Sequence, residues 1–154
     1  MTDAFSRVRE TVHDVVDGLD QPALAHRPGG TGNSIAWLVW HLTRVQDDHV
    51  AHVADRDQLW TAAGWAERFA LPLPERDTGY GHTSEQVEAL GRVPGELLTG
   101  YYDAVHDATL DYLSGLKGGE FERIVDHSWD PPITLGVRLV SVVNDDLQHA
   151  GQAA

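Results

Sequence analysis

Four long segments of this 154-residue chain repeat apolar residues three or four positions apart. That spacing places apolar side chains on one face of an α-helix, whereas a half-buried strand alternates every second residue. The segments cover residues 2–18, 34–54, 94–118 and 134–154. No segment shows strand alternation, and no internal repeat is visible. The sequence therefore predicts an all-α fold, a four-helix bundle in one domain spanning residues 1–154.

Helix-start signals stand at the beginning of each segment. Short polar side chains accept hydrogen bonds from the first free amide groups of a helix. Pro94 suits the first turn of the third helix, where its missing amide hydrogen costs nothing. The candidate caps of the other three helices are Thr2 or Asp3, Asn33 or Ser34, and Thr134.

A long connection, residues 55–83, separates the second and third helices. We expect a short helix within residues 60–69 and another at 84–90, and we expect the rest to cross over the bundle. Loops of this length are more often functional than idle. Tyr80 and His82 lie in a glycine-flanked part of it and could reach the mouth of a site, although turn chemistry explains the glycines equally well.

Charge and composition exclude several classes of function. The 24 acidic and 11 basic residues give a formal charge of −13, which disfavours binding to nucleic acid or an anionic membrane. The chain has no cysteine, so a disulfide framework, a thiolate metal site and a cysteine nucleophile are all excluded. No run of eighteen apolar residues is present, and we expect a cytoplasmic protein.

Three polar side chains fall on the apolar stripes of two different helices. Asp145 and His149 are four positions apart, so they share one helix face, next to Val142. His41 stands on the core-facing side of the second helix, beside Leu42. Burying such groups without partners is costly, and a shared divalent cation would compensate all three.

Two imidazoles and one carboxylate leave coordination positions open, as in catalytic rather than structural sites. Zinc is the first expectation for the ion, with nickel and iron(II) as alternatives. Asp48 is a further candidate, either as a ligand or as an acceptor that orients an imidazole. The competing interpretation is a hydrogen-bonded core histidine, with Asp145 paired to Arg44 or Arg138.

Two segments carry a resemblance to a known family. NSIAWLVWHLTR at 33–44 and DDLQHAGQ at 145–152 resemble the DinB-like superfamily, in particular the DUF664 branch close to mycothiol-dependent maleylpyruvate isomerases. The resemblance implies a four-helix bundle whose divalent metal is held at the positions of His41, Asp145 and His149. Asp145 is one methylene shorter than the glutamate found in some relatives.

The resemblance also implies a function. Such enzymes use a low-molecular-weight thiol, mycothiol or bacillithiol, in S-transfer to a small electrophile or in isomerisation, and they often form homodimers. Tyr80 and His82 are the candidate catalytic residues, which would shape the electrophile pocket. Two other hypotheses stay open: a metal-dependent hydrolase that activates water, and a non-catalytic stress-response bundle.

Overall fold

Eight α-helices account for most of the computed structural model, which describes residues 1–154. None of them combines the length and apolar character needed to cross a membrane. Short 3₁₀ turns lie at Pro28–Gly30, Leu90–Arg92 and Gly118–Glu122. The helices are α1 (Thr2–Val16), α2 (Gln21–Ala25), α3 (Ile35–Val53), α4 (Leu59–Ala62), α5 (Trp65–Phe69), α6 (Ser84–Ala89), α7 (Gly95–Gly115) and α8 (Leu135–Ala153).

The long helix α3 is the most enclosed element of the fold. It packs against α7 and α8, and α1 packs against the same two helices. The short helices α2 and α4 also lie against α3. Every residue from 36 to 47 is therefore buried, including the polar ones. A polar side chain in this stretch needs a partner within the protein.

The predicted helix starts are confirmed at two of the long helices. Ser34 accepts a hydrogen bond from the amide of Trp37, and Thr134 accepts one from the amide of Val137. At α1 the expectation was wrong, because Met1 is the capping residue and the helix already includes Thr2. At α7, Pro94 occupies the capping position just before the first helical residue.

The prediction of a purely α fold was incomplete. Two short antiparallel strands, β1 (Ile124–Asp126) and β2 (Ile133–Thr134), form a hairpin just before α8. Strands of three and two residues are too short to produce a recognisable alternation. The short helix expected within residues 60–69 is two helices, α4 and α5. A further short helix, α2, has Pro22 in its first turn, where a proline is tolerated.

Asp47 fastens the long connection to α3. Its side chain is fully buried, and its carboxylate accepts hydrogen bonds from the amides of Leu59 and Trp60 at 3.0 and 2.8 Å. The hydroxyl of Tyr101, on α7, donates to the same carboxylate at 2.8 Å. One side chain of α3 thus holds the start of α4 and part of α7.

Arg44, one turn earlier on α3, is also fully buried. Its guanidinium donates to the side chain of Gln58 at 2.8 Å and to the carbonyl of Asp77 at 3.2 Å. It also lies over the ring of Trp60, 4.8 Å from the centroid. Both ends of the segment that crosses α3 are therefore attached to this helix.

Candidate metal centre

Three side chains from α3 and α8 meet at one point. One potential ligand atom from each of His41, Asp145 and His149 lies within 4.8 Å of the others. The ring centroids of the two histidines are 4.7 Å apart, and His149 Nε2 is 3.7 Å from Oδ1 of Asp145. Three ligand-type atoms this close to one another form a candidate site for one cation. We refer to His41, Asp145 and His149 as the trio.

Two buried polar atoms of the trio have no hydrogen-bond partner in the protein. Oδ2 of Asp145 and Nδ1 of His149 are buried atoms without a hydrogen-bond partner. The side chain of His41 is 3 % exposed. Buried polar atoms in folded proteins nearly always have a partner, so these groups fit a role as ligands of a cation.

The ring of His41 is oriented by a backbone carbonyl. Its Nδ1 lies against the carbonyl oxygen of Thr78, a pure acceptor, so Nδ1 carries the proton and donates it. Nε2 is then left with a lone pair. Burial lowers the pKa of His41, against a smaller opposing effect of this hydrogen bond. The ring is therefore neutral at neutral pH, as a metal ligand must be.

The neighbouring aspartates of α8 have different environments. Asp145 is partly exposed and faces the trio, whereas Asp146 is fully buried and neither of its oxygens has a partner. Burial raises the pKa of Asp146 well above its usual range, and the charge of Asp145 adds to the effect. Asp145 is thus the aspartate that is available to a cation.

The other predicted contacts of the site are not formed. Arg138 donates to Asp126 at 2.8 Å, and Arg44 is held by the connection over α3, so neither arginine pairs with Asp145. Asp48 accepts a hydrogen bond from Gln58 at 2.6 Å and is not part of the trio. The interpretation in which an arginine compensates Asp145 was therefore wrong.

The two candidate catalytic residues have different environments. Tyr80 is 66 % exposed, and its ring stands edge-on to that of His41 at 5.2 Å between centroids. The side chain of His82 is only 3 % exposed, and its two nitrogens face Trp37 and Asp77. Tyr80 is therefore exposed beside the trio, whereas His82 is buried against Trp37 and Asp77.

Gly79 allows the loop to approach His41 closely. Its φ is +103°, and a β-carbon built on it would lie 2.6 Å from Nδ1 of His41. The backbone conformation alone favours glycine at this position, and the close approach of His41 adds a second, steric requirement. The sequence showed the glycine but not its neighbour, so this requirement was missed.

We expect Gly79→Ala to weaken metal binding roughly tenfold and to destabilise the fold by about 1–3 kcal/mol, because the loop must withdraw from His41. Metal titration and urea unfolding measure the two effects. Gly81→Ala is the matched control, since Gly81 has φ +72° but no atom within 4 Å of the added carbon. Equal metal affinities in the two variants would contradict the expectation.

The fold and the trio define a class: a mostly helical protein with a candidate metal site made of two histidines and one aspartate. The chain belongs to the mycothiol-S-transferase family, whose model matches residues 1–154. This is a DinB-like family, so the resemblance to the DinB-like superfamily predicted from the two motifs is confirmed.

One solved structure extends this comparison. A crystal structure described as that of a conserved protein from Enterococcus faecalis is similar to this chain, with a TM-score of 0.91 and 30 % sequence identity. The match covers 99 % of this chain and 89 % of the other. Among curated proteins, no match is found.

Proposed function

We propose that this protein is a cytoplasmic, metal-dependent S-transferase that joins a low-molecular-weight thiol of the mycothiol type to a small electrophile. The observation that carries the proposal is the trio, with its unsatisfied ligand atoms, in a chain that matches the family over its whole length. In this proposal the four long helices are a DinB-type four-helix bundle in a single domain.

His41, Asp145 and His149 are the proposed ligands. Two nitrogens and one oxygen suit zinc first, and nickel or iron(II) next. When bound, a divalent ion lowers the pKa of a thiol and favours the thiolate at neutral pH. The chain has no cysteine, so the sulfur comes from the cosubstrate.

Tyr80 is the proposed contact for the electrophile. Its ring is exposed and adjacent to His41, so it borders the open side of the trio. An aromatic ring offers apolar contact area, and its hydroxyl offers one hydrogen bond. In the transfer, the thiolate sulfur forms a bond to the electrophilic carbon, the leaving group departs with the bonding electrons, and the thiol proton goes to solvent.

The proposal is tested with zinc-loaded protein, mycothiol or bacillithiol, and the alkylating fluorophore monochlorobimane. We expect thioether formation that needs both metal and thiol and that falls to the uncatalysed rate in His149→Ala. Equal rates for the two proteins would refute the proposal. Turnover of ester substrates without any added thiol would instead favour a metal-dependent hydrolase.

We also propose that α8 pairs with α8 of a second copy. Val137, Val140, Asn144 and Leu147 are spaced by three, four and three residues along one exposed face, the spacing of a two-helix seam. When a helix face packs against the same face of a second copy, charged residues on it meet like charges and repel. The net charge of −13 makes an uncharged face favourable for such pairing. All exposed residues of α8 are uncharged: Val137, Val140, Ser141, Asn144, Leu147, Gln148, Gly151 and Gln152.

We expect Val140→Asp to convert the dimer to a monomer, because it places like charges opposite each other in the seam. Light scattering coupled to size-exclusion chromatography measures the mass. Leu19→Asp is the matched control, since Leu19 is an exposed apolar residue elsewhere on the surface. A monomeric unmodified protein, or a dimer that survives Val140→Asp, would contradict this pairing.

A further inference from the structure

The loop at residues 77–82 is attached to α3 at three points. The guanidinium of Arg44 donates to the carbonyl of Asp77, and Nδ1 of His41 donates to the carbonyl of Thr78. The indole Nε1 of Trp37 donates to Nδ1 of His82 at 3.0 Å. The three α3 residues are three or four positions apart and therefore share one helix face.

The contact with Trp37 determines where His82 carries its proton. An indole nitrogen can only donate, so Nδ1 of His82 accepts and the ring proton is on Nε2. Nε2 lies 2.9 Å from Oδ2 of Asp77. The other oxygen of Asp77 accepts from the amide of Gly79 at 3.0 Å. Polar contacts therefore connect Trp37, His82 and Asp77. Thr78 lies between Asp77 and Gly79, which are joined by the last of these hydrogen bonds.

Ring packing fixes the same residues from the side. Trp37 stacks on His41, with centroids 4.6 Å apart and planes at 16°, and Trp40 stacks on His82 at 5.7 Å and 19°. Nδ1 of His82 is hydrogen-bonded, its Nε2 faces the carboxylate of Asp77, and its side chain is almost fully buried, so His82 is not accessible to a substrate at the trio. The polar partners of His82 are Trp37 and Asp77, both within the protein.

We propose that His82 is a positioning residue, which holds the Thr78 carbonyl at Nδ1 of His41 and thereby keeps the Nε2 lone pair of His41 free for a ligand. The hydrogen bond made by one imidazole nitrogen decides which nitrogen is protonated. This role replaces the catalytic role that the sequence suggested for His82. The consequence for metal binding rests on the proposed function, whereas the consequence for the tautomer of His41 does not.

The test compares His82→Phe with the unmodified protein. Phenylalanine keeps an aromatic ring over Trp40 but removes both polar contacts. In metal-free protein, ¹⁵N chemical shifts of the histidine rings report the tautomer of His41. We expect a single form protonated at Nδ1 in the unmodified protein and a mixture of forms in the variant. Zinc affinity, measured by competition with a coloured chelator, is expected to fall roughly 10- to 100-fold.

Two further variants sharpen the result. His82→Gln offers one acceptor and one donor on one side chain and is expected to recover most of the affinity, which a purely steric role would not predict. His127→Phe is the control, because His127 is exposed in the hairpin and is expected to change neither measurement. If His82→Phe does not fold, the same measurements on Trp37→Phe, which removes the donor, decide the question.

An unchanged His41 tautomer, together with a zinc affinity within twofold in His82→Phe, would overturn the proposal. Absence of zinc binding in the unmodified protein would refute the proposed function, while the nitrogen shifts would still decide the role of His82. The failures of the two proposals are therefore distinguishable.

Discussion

Replacing His149 with alanine is expected to weaken zinc binding by roughly 100- to 1000-fold. Structural zinc sites are worth about 10–16 kcal/mol over four ligands, so one ligand is worth about 2.5–4 kcal/mol. The group of potential ligands contains only His41, Asp145 and His149, so no fourth side chain of the group can replace the lost imidazole. Isothermal titration of metal-free protein measures the change.

His52→Ala is the control for this prediction. His52 is a histidine of α3, but it is exposed and lies outside the trio. Its removal leaves the chain with the same number of histidines as His149→Ala, and we expect unchanged zinc affinity. Equal losses in the two variants would mean that the ion binds elsewhere on the surface.

Replacing Asp47 with alanine is expected to lower the free energy of unfolding by about 3–5 kcal/mol. The change leaves the amides of Leu59 and Trp60 and the hydroxyl of Tyr101 without their acceptor inside the protein. It also removes the negative charge 3.8 Å from the buried guanidinium of Arg44. Urea unfolding, followed by tryptophan fluorescence, measures the loss.

Asp14→Ala is the matched control, because Asp14 is an exposed aspartate of α1. Surface substitutions of this kind usually change stability by no more than about 0.5 kcal/mol. A loss of comparable size in both variants would show that net charge, rather than the buried contacts of Asp47, determines the stability of the fold.

The long helices were predictable because their signal is repeated many times. In α1 the buried residues Phe5, Val8, Val12 and Val16 follow the helical period, and in α8 Leu135, Leu139 and Val142 do the same. Ser34 and Thr134 were recognisable as caps because capping is a local interaction within four residues. Period and cap together fix a helix to within about two residues.

The short elements could not be predicted in the same way. The strands Ile124–Asp126 and Ile133–Thr134 are too short for an alternating pattern to recur, and both strands pack against α8. Asp47 and Tyr101 are 54 positions apart in the chain, and no local rule pairs them. Such contacts become visible only when the fold brings the residues together.

At the site, the sequence indicated which residues converge but not what supports them. His41, Asp145 and His149 attracted attention because polar groups on apolar stripes need compensation. The orientation of His82 was not accessible, because a loop side chain takes its direction from tertiary contacts. Gly79 was visible in the sequence, but the proximity of His41, which leaves no room for a β-carbon there, was not.

If the trio binds a metal ion as proposed, its location has a consequence for the lifetime of the protein. His41 and Asp145 are more than a hundred residues apart, so an ion shared between them closes most of the chain into a ring. A covalent link that closes a ring of this size is worth about 4.7 kcal/mol in the chain-entropy account. With no cysteine available, the ion would act as a removable cross-link. Proteases would then clear the metal-starved protein faster than the loaded one, so that metal supply would set its abundance.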